Sequence, residues 1–182
     1  MGKFILGLIV GALLVPFAVY WYFASGHVPT AVSAQPMPFE KRLAKVGLNS
    51  SIKNQGVKEP PFQPVEADYV AGAENYRQHC AVCHGLIGQD KSFIAKGMYP
   101  EPPQLWKGKG VSDDPAGETY WKVANGIRLT GMPGFTNSLS DKEMWQISLL
   151  LANADKLPAS VTDLLKKRAV MEVPSGGGSA SP

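Results

Sequence analysis

The longest run without a polar break opens the chain: residues 4–24, "FILGLIVGALLVPFAVYWYFA", hold no charged side chain. As a helix rising about 1.5 Å per residue, such a run spans roughly 31 Å, the thickness of a bilayer's hydrocarbon core. Tyr20, Trp21, Tyr22 and Phe23 crowd one end, as an aromatic belt does at the membrane–water boundary. A cleaved secretory signal is the rival reading, with Val32-Ser33-Ala34 as its processing site. Signal cores hold only about 7–15 apolar residues, and this run is longer. The pattern predicts a retained single-pass anchor over residues 1–25.

Beyond it the pattern changes three times. Residues 26–67 carry Pro29, Pro36, Pro38, Pro60, Pro61 and Pro64 around "FEKRLAKVGL", which reads as a linker holding one short amphipathic helix. As a flexible chain this linker would have an r.m.s. reach of roughly 35 Å. Residues 68–156 read as the compact domain. Asp68 is a plausible N-cap, and Tyr69, Gly72, Tyr76, Cys80 and Cys83 then recur on one helical stripe. Residues 84–116 are rich in glycine and proline and predict loop; "AGETYWKVANG" predicts a short helix, and "TGMPGF" a turn. In "SLSDKEMWQISLLLANA", Ser140 and Glu143 form a capping box ahead of a broad apolar face, the clearest helix in this part. Residues 157–182 predict a helix from Ser160 to about residue 170, followed by the empty tail "PSGGGSASP". No strand-like alternation occurs, so the fold class is all-α.

Charge narrows the function classes. The 182 residues are 45% hydrophobic and 18% charged with a net charge of +3, which fits neither a disordered tail nor a nucleic-acid binder. Residues 68–156 hold 9 Lys+Arg against 10 Asp+Glu, a net −1, so the compact domain is nearly neutral. Membrane orientation is not decided by charge: Lys3 favours an inner N-terminus, but Lys41, Arg42 and Lys45 follow the span.

The chemistry concentrates in "HCAVCHG", residues 79–85, which holds both cysteines and two of the three histidines. A closed zinc site needs four ligands, and the one other histidine, His27, lies at the membrane exit. A thioredoxin-like dithiol needs a βαβ setting that this pattern lacks. Cys80-Ala81-Val82-Cys83-His84 is the full Cys-x-x-Cys-His pattern of covalent haem attachment. Two thioethers clamp the macrocycle, and the adjacent His84 imidazole then lies under the iron. Such attachment takes place on the outer side of the bacterial membrane, which orients residues 26–182 outward.

"GAENYRQHCAVCHG", "PPQLW" and "GIRLTGMPGF" together resemble a monohaem class I cytochrome c over residues 68–155. The resemblance implies one haem c bound through Cys80 and Cys83, and terminal helices that cross with Gly72 and Tyr76 against the helix of Trp145 and Leu149. For the sixth ligand, Met37, Met98, Met132, Met144, Met171, His27 and His79 compete. His79 adjoins Cys80, Met144 belongs to a packing helix, and Met98 follows His84 by only 14 residues. Met132, between Gly131 and Pro133-Gly134, has the chain length to reach the far face and matches the family's distal methionine. The resemblance also assigns the Pro103 carbonyl to hold His84, with Pro102 as the alternative one residue away, and places Leu105 on the haem. Trp121 and Arg128 are candidate propionate partners.

These features predict no enzyme of its own but a membrane-anchored electron carrier, or a cytochrome subunit of a respiratory or photosynthetic complex. Its partners would be redox proteins in or on the same bacterial inner membrane, with the haem domain in the periplasm and no nucleic acid involved. A gas sensor or enzyme with a labile distal methionine, and a structural docking subunit, are the alternatives.

Overall fold

A computed structural model describes residues 1–107 and 114–167, and the described residues are helical with no strand. The elements are α1 (Gly2–Ala24), α2 (Glu40–Gln55), α3 (Glu66–His79), α4 (Ala81–His84), α5 (Phe93–Lys96), α6 (Ala116–Asn125), α7 (Asp141–Ala152) and α8 (Ala159–Lys166). The chain divides into two units, Met1–Ser50 and Ser51–Pro182. Met171, the expected end of the last helix near residue 170 and the glycine-rich tail lie outside the described residues.

In the first unit, α1 is long and apolar enough to cross a membrane, with a mean hydropathy of 2.3 and no buried residue. Phe17 stacks on Trp21, and Tyr22 meets Phe23 edge-on. At its C-terminal end the Ser25 hydroxyl donates to the Tyr22 carbonyl (2.8 Å), which satisfies one of the helix's last acceptors.

The second unit is built on the crossing of α3 and α7. At Gly72 a Cβ would stand 2.5 Å from the Gln146 carbonyl oxygen, so only glycine lets the two backbones meet. Tyr76, Ile147, Leu150, Val161 and Leu165 are fully buried around this contact. The aromatic pairs are Tyr76 edge-on to Trp106 and Tyr120 stacked on Trp145 at 4.2 Å. Both ends of the crossing are fastened. The Ser140–Glu143 capping box forms as its sequence predicts, Ser140 N–H donating to Glu143 (2.8 Å) and Glu143 N–H to Ser140 Oγ (3.3 Å).

Asp68 differs from its expectation. It sits inside the first turn of α3, not at the cap, and accepts from Val65 N–H (3.1 Å) and from Gln146 Nε2 (2.9 Å). From the third helical position Asp68 thus caps the Val65 N–H, and the helix starts at Glu66.

The second compact unit begins at Ser51, within α2. Helix α2 takes up 16 residues of the expected linker, and the segment after it lies against α6. A Cβ on Gly117 would overlap the Lys58 carbonyl oxygen; Trp121 Nε1 donates to Gln55 Oε1 (2.9 Å), and the Lys58 ammonium stands 5.2 Å over the Tyr120 ring. Phe62 packs on the core. Residues 55–65 therefore form a strap on the domain, held by the glycine that admits it. Helix α8 likewise belongs to the compact unit: Val161 and Leu165 are buried, and Ser160 Oγ donates to Glu66 Oε1 (2.6 Å).

Candidate functional site

Cys80 caps the end of α3 and leads into a single turn, α4, that carries Cys83 and His84. The Tyr76 hydroxyl donates to the Gly85 carbonyl (2.8 Å), pinning the end of this turn to the buried face of α3. Gly85 adopts φ +76°, where a side chain would be strained, and a Cβ there would overlap the Gln104 amide oxygen. Residues 103–105 run alongside the turn and are registered on it by three bonds. Gln104 Nε2 donates to the Cys83 carbonyl (3.1 Å), Leu105 N–H to the His84 carbonyl (3.2 Å), and His84 Nδ1 to the Pro103 carbonyl (2.9 Å).

The His84 bond selects a tautomer. A carbonyl can only accept, so the proton resides on Nδ1 and Nε2 is left with a lone pair for a ligand. Burial holds the His84 pKa below the ordinary imidazole value, and the bond to Pro103 offsets this only in part. Cys80 and Cys83 form no disulfide. Burial, and secondarily the neighbouring Cys83, pushes Cys80 up to about 12. A redox dithiol needs the opposite shift.

Met132 comes from a separate loop. Gly126 turns the chain out of α6 with φ +66°, and a Cβ there would stand 2.5 Å from Gly134 N. A Cβ on Gly134 would in turn meet the Asn125 carbonyl carbon at 2.8 Å. The two glycines let the loop's ends cross. The Gly126–Gly134 pair thus closes the loop's base. Within the loop, Ile127 N–H donates to the Met132 carbonyl (3.1 Å) and Met132 N–H to Thr130 Oγ1 (3.1 Å).

The turn and the loop face one cleft, with about 690 Å³ of space free of protein atoms, part of it open to solvent. Cys80, Cys83, His84 and Met132 line it, together with Pro103, Met98, Val123, Ile127 and Phe135. Leu105, expected on the haem, lies against the hydrophobic core and is not among the lining residues, because its N–H is tied to His84 and its side chain packs with the core. Trp121 and Arg128 do not line the cleft either; Trp121 is engaged with the strap. Val123, Ile127 and Phe135 escaped the sequence reading, although Val123 lies on the apolar face of α6 and Phe135 ends the "TGMPGF" turn.

Residues 67–149 match the family described as "Cytochrome C oxidase, cbb3-type, subunit III". A solved structure of the Kuenenia stuttgartiensis reducing HAO-like protein complex contains a similar chain, with 26% identity and a TM-score of 0.45. The likeness covers 53% of this chain and 47% of that one, so this chain spans about half of that relative's length. Among curated protein sequences nothing matches. The compact unit is a cytochrome c domain, and a cytochrome c domain implies covalently bound haem c. The residues present fit that group: two cysteines without a disulfide, at the start of and within one helical turn, an imidazole with one nitrogen selected, and a largely apolar cleft between them and a thioether.

Proposed function

We propose that this protein is a membrane-anchored monohaem cytochrome c that relays single electrons on the periplasmic side of the bacterial inner membrane. Cys80 and Cys83 would hold the one haem, and His84 and Met132 would take its two axial positions. Pro103 keeps His84 in the ligating tautomer. When bound, haem supplies a one-electron couple, and a histidine–methionine ligand pair raises its potential. With both axial positions filled by the chain, no site is left open for a substrate, so electron relay is the chemistry that remains. The observation that carries this reading is the meeting of the cysteine turn and the Met132 loop across one apolar cleft. The family description names an oxidase subunit, which supports work within, or next to, a membrane complex. Helix α1 would supply the anchor, with the N-terminus inside.

The test is spectroscopic and uses the full chain in detergent. The haem is expected to resist acid–acetone extraction, and the oxidised protein to show the near-infrared sulfur-to-iron band. Met132→Ala should keep the haem, abolish the band, lower the potential and admit carbon monoxide. An extractable haem sinks the proposal. Rapid carbon monoxide binding by the unmutated protein favours the sensor reading instead.

A further inference from the structure

The cleft has a second methionine, and its position suggests a task. Helix α5 is tied to the cysteine turn by Ser92, which caps α5 by accepting from Ala95 N–H (3.0 Å) and donates to the Val82 carbonyl (2.5 Å). Met98 follows directly after α5, with its sulfur 3.8 Å from Cys83 Sγ. Its methyl end reaches the opposite wall: a Cβ on Gly131 would overlap the Met98 Cε. The side chain thus spans from the cysteine turn to the residue that precedes Met132.

This contact matters because hydrogen bonds do not tie the Met132 loop to the facing wall; beyond Met132's own packing on the core, side-chain contact must do so. Among the described residues, the hydrogen bonds made by 127–132 all stay within the loop. Leu129, at its tip, is 93% exposed and adopts φ +61°, a conformation that costs a leucine about 1 kcal/mol. A loop with strain at its tip and its polar groups turned inward is held to the facing wall by packing.

We propose that Met98 is a positioning residue for Met132. Its thioether chain clasps Gly131, keeps the ligand loop closed over the cleft, and covers the cleft's edge beside Cys83. Glycine at 131 is the other half of the clasp, since any side chain there displaces the Met98 methyl. The inference rests on the proposed ligation by His84 and Met132.

The experiment is a double-mutant cycle on the full-length holoprotein, read by the carbon monoxide association rate of the reduced form and by the temperature at which the oxidised protein loses its sulfur-to-iron band. Met98→Ala should speed association roughly tenfold and lower the band-loss temperature with haem still attached. Met98→Leu, which retains the packing volume, should stay within about threefold of the unmutated protein. Gly131→Ala should speed association roughly tenfold alone but change it less than about threefold in the Met98→Ala background. Either an association rate in Met98→Ala within twofold of normal, or equal Gly131→Ala effects in both backgrounds, overturns the proposal, as does a Met98→Leu rate matching Met98→Ala. A residue that merely stabilised the fold would lower the melting temperature and leave the association rate unmoved. If the unmutated protein lacks the band, or Met132→Ala retains it, the ligand reading itself fails, an outcome separate from the clasp.

Discussion

Among the places where glycine brings backbone against backbone in this domain, two have contrasting surroundings. At the α3–α7 crossing, Gly72 touches Gln146 inside a shell of fully buried side chains, and Asp68 bonds across to Gln146 at 2.9 Å. At the base of the Met132 loop, Gly126 touches Gly134, but one side of the loop faces the cleft. The first contact is embedded in apolar surface that the chain itself provides. The second lies at the rim of the cleft. One device therefore joins two helices in one region and closes a loop beside the cleft in the other.

The sharpest way to separate the two regions is to empty the cleft. Cys80→Ala with Cys83→Ala should abolish covalent haem and sharply lower the midpoint of thermal unfolding. Amides of residues 126–135 should lose hydrogen-exchange protection before those of α3 and α7. If the loop amides stay protected in that variant, the loop does not depend on the haem.

A smaller effect is expected from forcing side chains into the two crossings. Gly72→Val should cost about 3 kcal/mol by overpacking against backbone that cannot yield, read as a shift in denaturant midpoint. The Met–iron band of the remaining folded protein should persist. Gly134→Ala should do the reverse, weakening the band for a smaller loss of stability. A Gly72 variant that loses its band first would erase the distinction.

The strap offers a third comparison. A fragment starting at Gln35 keeps residues 55–65 and should melt like the parent domain, whereas one starting at Glu66 loses Phe62, the Gln55–Trp121 bond and the Val57–Lys58 contact with Gly117. Roughly 2 kcal/mol of stability should go with them. Equal midpoints for the two fragments would mean that the strap lies on α6 without supporting it.

The smallest effect is in acid. Hydrogen bonds from Gln146, then from Val65 N–H, hold the Asp68 carboxyl below its ordinary value. A depressed folded pKa stabilises the protein above the unfolded value, and the contribution is lost as pH falls through the folded pKa. Asp68→Asn should therefore flatten the acid limb of stability below about pH 4, with the haem spectrum unchanged. An unaltered acid limb would show that the α3–α7 fastening is not electrostatic.

What was legible in the sequence was local. The α7 start could be read because Ser140 and Glu143 lie within one turn of each other, and the haem motif because its three functional residues fall within five positions. Gly72 was placed at a crossing only through the resemblance to class I cytochromes c, not by the periodicity of its helix. The interior of the linker was not legible: nothing within the sequence around Val57 and Lys58 marks them as a strap, since the position that admits them, Gly117, lies 59 residues on. Nor could spacing separate Pro102 from Pro103, send Leu105 to the core, or bring Met98 from a turn 33 residues earlier to Gly131. Periodicity and capping are properties of a few neighbouring residues, so they survive in a one-dimensional reading. Which wall a loop residue faces depends on chain segments far apart in sequence, and is decided only when the helices have packed.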